Sequence, residues 1–224
     1  MASSSSSSPD NKQGSILVAV DIEKCGSNLI AHKVVSIGFV VAHEDGTLIE
    51  KKKINFQIEW FTREYNSNDG TSVLVYGDFE KRCCDEFWSK QPQEIVDACK
   101  RNPDPLHPYL GWQEVRLFVD GLEERFPDRK VKFLTDNASF DIAAIDYGLE
   151  KYCGRYPMRY STDNKYRSVI GADDMFDMIP EPHKSAYNAE IKAIVQHDHD
   201  PCNDAHHILL QYVYACRYLK LTKH

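Results

Sequence analysis

Residues 16–23 read ILVAVDIE, and on this short run the fold turns. Ile16, Leu17, Val18, Ala19 and Val20 form an uninterrupted apolar segment rich in branched side chains, the pattern of a central strand buried on both faces. Asp21-Ile22-Glu23 follows at its end. Successive side chains of a strand alternate in direction, so Asp21 and Glu23 share one face while Ile22 points to the other. Two carboxylates held that close repel each other, or one pKa rises, unless a cation is shared, and hard divalent ions such as Mg²⁺ take oxygen ligands of this kind. The same D-x-E spacing recurs at Asp78-Phe79-Glu80. There it reads as the start of a helix, whose positive end favours acids.

Outward from this strand, a second is expected at 33–42, and Glu44-Asp45-Gly46 supplies the turn into a third at 48–56, an antiparallel meander. Residues 60–107 are polar and aromatic-rich, with helices expected at 79–88 and 92–100, Pro92 being suited to a first helical turn. Val115, Phe118, Val119 and Leu122 recur at helical spacing and predict a helix over 111–126, ended by Pro127-Asp128. A strand at 131–134, a helix at 139–152, a strand near 168–170 and a final helix at 202–221 complete the pattern. Strands first, then alternating strand and helix, predict an α/β fold with a mixed sheet flanked by helices. Residues 1–14, a Ser run with Pro9 and Gly14, have nothing to bury and are expected to be a disordered tail. Residues 15–224 are then one domain, with an insertion or substrate-side loop region at about 60–107.

The formal net charge of −7 argues against a broad electrostatic grip on a long duplex. It is compatible with an enzyme that holds a strand end through metal ions, because bound cations invert the local charge around carboxylates. Seven cysteines, an odd number with no C-x-x-C spacing, read as reduced thiols. The first residues carry neither a basic nor an apolar targeting region, and no apolar run is long enough to cross a bilayer. The expectation is a soluble intracellular protein of cytoplasm or nucleus, with no membrane partner; a homodimer is left open.

Two further elements carry acids. Asn137-Ala138-Ser139-Phe140-Asp141 follows the strand at 131–134 and opens a helix on which Asp141 shares a face with Ala144, Ile145, Gly148 and Tyr152. An acid on that packed side needs a partner; alternatively Asp136, Asn137 or Ser139 caps the helix and Asp141 complements its dipole. His199-Asp200-Pro201-Cys202-Asn203-Asp204 is an H-x4-D spacing that occurs once, with Asp204 in line with Ile208, Tyr212, Ala215 and Leu219 on one helical face. A histidine before that helix can titrate near neutrality and accept a proton from water. His197, His206 and His207 beside it leave a transition-metal cluster as the other reading.

Taken in order, D-x-E, N-x-x-F-D and H-x4-D resemble the DEDDh (DnaQ-like) 3′–5′ exonucleases of the ribonuclease-H-like superfamily. The resemblance spans about residues 15–219 and is sharp at the three motifs; Phe87-Trp88 with Gln91-Pro92 is similar to a segment of some phage and bacterial relatives. It implies a ribonuclease-H-like fold and removal of nucleotides from a single-stranded 3′ end of RNA or DNA. It implies that Asp21, Glu23, Asp141 and Asp204 hold two divalent ions, Mg or Mn, one activating water and the other stabilising the leaving oxygen. His199 would be the general base, the histidine at this spacing marking the DEDDh branch, and Asn137 and Phe140 would support the substrate. Relatives often carry Thr directly after the first Glu, where this chain has Lys24-Cys25-Gly26; Lys24 is expected to contact a phosphate instead. The alternative within the same fold is a non-catalytic nucleic-acid-binding or assembly module.

Tyr152, Arg155, Tyr156, Arg159, Tyr160, Lys165, Tyr166 and Arg167 mix aromatic and basic residues, as single-strand binders and Tyr-rich surface loops both do. Asp173, Asp174 and Asp177 are read as structural or outer acids.

Overall fold

The computed structural model describes residues 14–66, 70–101, 104–154 and 168–221. Strand β1 (Ile16–Lys24) runs on past its apolar segment through both acids. It does so because β2 (Val34–His43) keeps pairing with it, Asp21 facing Gly38 and Glu23 facing Ser36. β3 (Leu48–Asn55) adds to β2 antiparallel after a tight turn in which Gly46 has φ +92° and Asp45 accepts a hydrogen bond from the Thr47 amide. Two short strands, β4 (Thr62–Tyr65) and β5 (Ser72–Val75), form a separate hairpin that is mostly exposed and carries little of the apolar alternation by which strands are recognised.

Helix α1 (Lys81–Glu86) is shorter than the 79–88 expected. Glu80 occupies its N-cap and Phe87 leaves helical geometry, which frees Trp88 to turn into a cluster with Phe61, Phe79 and Val96. A 3-10 turn at Trp88–Lys90 leads to α2 (Gln93–Lys100), with Pro92 at the N-cap rather than inside the first turn. α3 (Pro108–Arg125) begins three residues earlier than its apolar spacing indicates, with Pro108 at the first position and His107 Nδ1 accepting from the Tyr109 amide.

β6 (Val131–Thr135) lies parallel to β1, with Ile16 opposite Val131 and Ala19 opposite Leu134. α4 (Asp141–Cys153) follows and ends on Gly154, whose φ of +59° is the left-handed conformation that suits glycine there. β7 (Ser168–Gly171) joins β6 in parallel. Next come α5 (Ala172–Asp177), α6 (His183–Ile194) and the long α7 (Pro201–Leu221). The sheet order β3-β2-β1-β6-β7, antiparallel on one side and parallel on the other, is the α/β ribonuclease-H-like arrangement expected. Helices α5 and α6 have no clear sequence signal: α5 is six residues long, and α6 buries only Ile191 among its twelve. The basic and aromatic residues from Arg155 to Arg167 lie outside the described residues.

The pleat of β1 divides the core. Ile16, Val18, Val20 and Ile22 pack with Val115, Val119 and Leu122 of α3 and with Ile142, Ile145 and Leu149 of α4. Leu17 and Ala19 face the other way, onto Ala205, Ile208, Leu209 and Tyr212 of α7. Each large side chain taken fully out of water on these faces contributes roughly 1.5–3 kcal/mol. Alternation then carries Asp21 and Glu23 to the α7 side of the sheet, where the strand outruns its apolar cover. All seven cysteines are free thiols.

Candidate active site

Three elements bring their acids to the carboxyl end of β1, the place where open α/β sheets present ligand sites. β1 carries Asp21 and Glu23. α4 carries Asp141 in its first turn, 3% exposed. α7 carries Asp204 in its first turn, 2% exposed. Ligand atoms of Asp21, Asp136 and Asp141 all lie within 4.8 Å of one another, and so do those of Glu23, His199 and Asp204. The two groups share a neighbourhood, since Asp21 feels the charges of Glu23, Asp141 and Asp204 together.

Asp136, Asn137 and Ser139 do not cap α4, whose N-cap is Phe140, and Asp141 lies in its first turn. No side chain caps α4; Asn137 instead shapes the turn, its carbonyl accepting from the amides of Phe140 and Asp141 and its side chain from the Ser139 hydroxyl. The Asp141 carboxylate points inward and accepts a short hydrogen bond from the buried hydroxyl of Thr135. The second D-x-E copy is structural. Asp78 pairs with Lys33 at 2.8 Å, and Glu80 accepts from the amide and hydroxyl of Ser27.

α7 sits close enough to contribute Asp204 because β2 has a glycine beneath it. A Cβ on Gly38 would lie 2.2 Å from the Pro201 carbonyl carbon and oxygen. Asp200 caps this helix, accepting from the Cys202 and Asn203 amides at 2.9 and 3.3 Å, and is tied to β3 by Lys53 at 2.9 Å. His199, one residue before, has a φ of +59° that a non-glycine residue adopts only where its surroundings enforce it. Its Nδ1 lies 3.6 Å from Glu23 Oε1 and 4.0 Å from Asp204 Oδ2. The Phe87 ring meets it edge-on at 4.9 Å, and Cys99 Sγ reaches its carbonyl at 3.7 Å. Thus the 60–107 stretch touches the site. Trp88 Nε1 also donates to the Lys24 carbonyl at 3.2 Å, fixing the chain where it leaves β1.

Burial and mutual repulsion hold these carboxyls away from their ordinary ionisation. Asp21 is raised well above the usual range, first by burial and then by Glu23, Asp141 and Asp204. Asp141 is pushed up to about 8 by burial, with the Thr135 hydroxyl opposing. Asp204 reaches about 7 through burial and the Glu23 charge. His199 is raised by the Glu23 carboxylate facing its Nδ1, against burial. Asp21 Oδ2 is buried with no hydrogen-bond partner among the described residues. An orphaned, crowded, desolvated carboxylate set of this composition is what a shared hard cation satisfies.

Lys24, 6% exposed, places Nζ 3.4 Å from the Asn28 carbonyl and 5.7 Å from the centre of the Phe140 ring. Both residues line a cleft with Glu23, Ser27, Arg82 and Phe87. Asn137 is exposed beside the acids. A joint metal site of His197 and His206 does not form among the described residues. His197 Nε2 lies 3.3 Å from Asp204 Oδ2, closer than His199, whereas His206 is buried near Lys51 and pushed down to about 4, chiefly by burial.

Sequence reading missed Thr135, Asp136, His197, Gly38 and Phe87 as neighbours of the site. Asp136 was within reach: extending the parallel register of β1 with β6 by two residues sets it beside Asp21. Gly38 gave no local signal, because its importance lies in what packs over it, and the Phe87-Trp88 resemblance did not say that Phe87 meets His199.

No family model matches the sequence, and no curated protein matches it. Solved structures do match in fold. E. coli exonuclease I in complex with a dA16 oligonucleotide aligns with 93% of this chain and 42% of its own at 11% identity, TM-score 0.59. The same enzyme with a 5cy-dT13 oligonucleotide aligns with 94% of this chain and 43% of its own at 12% identity, TM-score 0.55. A moderately thermophilic exonuclease I from Methylocaldum szegediense aligns with 91% and 40% at 14% identity, TM-score 0.52. The chain spans less than half the length of these proteins, and the likeness is one of fold. Among the described residues, no helix is long and apolar enough to cross a membrane.

Proposed function

We propose that the chain is a metal-dependent 3′–5′ exonuclease of the DEDDh type, cutting phosphodiester bonds of RNA or DNA from a single-stranded 3′ end. The observation that carries this reading is the meeting of Asp21, Glu23, Asp141 and Asp204 at one strand end, with His199 Nδ1 3.6 Å from the Glu23 carboxylate beside them. These four acids would hold two divalent ions, Mg²⁺ or Mn²⁺, and Asp136 and His197 are further donors at the rim. When bound, such ions polarise the phosphate and make water acidic enough to attack at neutral pH.

The remaining work falls to the chain's own groups. His199 accepts the proton of the attacking water, and Glu23 stabilises the imidazolium that results. The water oxygen bonds to phosphorus as the P–O3′ bond breaks, giving a nucleoside 5′-monophosphate and a strand shortened by one residue with a free 3′ hydroxyl. Lys24 sits where a backbone phosphate would pass, and Phe140 offers a ring face to the terminal nucleotide. Asn137 stands at the same edge with its amide turned by Ser139. Domain organisation enters the proposal too: residues 15–224 act as one unit, the 60–107 insertion bracing the site.

The test is a paired assay on 5′-labelled RNA and DNA, single- and double-stranded, with Mg²⁺ or Mn²⁺. Wild type is expected to give a ladder shortened from the 3′ end, abolished by chelator and by Asp21→Ala. Oligonucleotides that are bound without metal and left intact would instead identify a non-catalytic binding module.

A further inference from the structure

A second cavity, about 190 Å³, opens beside the acid-lined cleft, between the loop after β1, the start of α3 and one face of α4. It is too small for a drug-sized ligand and roomy enough for one ring system. Its wall is aromatic. Trp112 and Tyr152 are stacked with ring planes 6° apart and centres 6.3 Å apart, and Tyr147 continues the surface. Trp112 can lie against α4 only because position 148 is glycine, where a Cβ would fall 2.1 Å from the indole. Its rim is cationic, and here the three lysines differ. Lys33 is neutralised by Asp78. Lys151 lies over the Tyr147 and Tyr152 rings, at 5.4 and 5.2 Å, and pairs with no carboxylate among the described residues. Lys24 is buried, likewise has no carboxylate pair among them, and lines both this cavity and the cleft.

An aromatic wall with unpaired cations at its mouth is the chemistry that holds a base by its face and a backbone by its charge. We propose that this cavity takes an unpaired nucleobase, the one next to the 3′-terminal residue, with Lys24 between the two cavities meeting the backbone charge. The assignment rests on the nuclease reading and deepens it. A base seated here has left any complementary strand, so the cavity makes the enzyme selective for single-stranded ends.

Affinity is measured with Ca²⁺ replacing Mg²⁺ to hold turnover, on a single-stranded oligonucleotide that is intact, abasic at the penultimate position, or abasic five residues upstream. Wild type is expected to lose about tenfold on the penultimate lesion, the scale of one stacked base, and little on the upstream one. Tyr147→Ala, at a half-buried position, is expected to bind the intact strand about tenfold more weakly and to be indifferent to the penultimate lesion, the signature of a shared interaction. Lys151→Ala serves as the second variant, removing the rim charge over Tyr147 and Tyr152 while leaving the wall's rings in place, and is expected to lower affinity for the intact strand. If wild type cuts and binds single strands yet ignores the penultimate lesion, the cavity assignment is overturned and the nuclease reading stands. If no oligonucleotide of any kind is bound or cut, both fall.

Discussion

Asp21 is the residue on which the proposed chemistry converges, and burial with its acidic neighbours holds its carboxyl well above the usual range. It is desolvated, surrounded by four other acids, Glu23, Asp136, Asp141 and Asp204, and left with an oxygen that nothing among the described residues satisfies. In the metal-free protein, Asp21, Asp141 and Asp204 therefore retain protons that the unfolded chain has already released near pH 4. These three carboxyls hold more protons in the folded state than in the unfolded one across the interval from about 4 to about 8, outweighing the opposite contribution of the buried His206 and His207. Stability must then fall as pH rises through that window. Thermal melts in chelator should show a lower Tm at pH 8 than at pH 5.5, and saturating Mg²⁺ should raise the pH 8 value, since a ligand that binds only the folded state stabilises it. Asp21→Asn should stabilise the chelated protein at pH 8 by on the order of 1 kcal/mol, as relief of strain at a functional site does, while abolishing turnover. A Tm that climbs with pH in chelator would contradict this picture of the acids. Asp21, Glu23, Asp141 and Asp204 were legible as separate motifs. Thr135 and the orphaned oxygen were not, because side-chain hydrogen bonds across six residues of turn leave no pattern in composition.

At the scale of elements, the site is made by how closely α7 approaches the sheet. That approach is set by Gly38 on β2, opposite Asp21 in the strand register. A methyl group there meets backbone rather than a flexible side chain, so it cannot be accommodated by a rotamer change. Gly38→Ala should cost roughly 1–3 kcal/mol by overpacking and should lower turnover more than it lowers stability warrants, because Asp204 and His199 ride on the displaced end. Denaturant midpoints and steady-state rates at a temperature where the variant is fully folded separate the two effects; unchanged rates would show that the helix position is not decisive. The meander, the parallel strands and the long helices were readable from branched apolar runs and 3.6-residue spacing. The β4–β5 hairpin, α5 and α6 were not, since they bury few side chains and so carry little periodicity. Phe87 belongs with them: its contact with His199 spans over a hundred residues of sequence.

For the whole molecule, a net charge of −7 fits the proposed polyanionic substrate if cations held at one strand end, rather than basic charge spread over the surface, meet it. The fold supplies the rest: a mixed sheet whose central strand delivers two acids, with one helix on each side delivering a third and a fourth. The apolar core on both faces of β1 fixes these elements without reference to the ligand, and the acids pay for their crowding in metal-free stability. The claim beneath all of this is that the crowded carboxylates form a divalent-cation centre. Anomalous diffraction from a crystal of the full chain grown with Mn²⁺ tests it most directly. Manganese is expected on Asp21 with Glu23, Asp141 and Asp204, and is expected to be lost in Asp21→Ala. Manganese absent from these carboxylates, or held by His197 and His207 apart from Asp21, would contradict it.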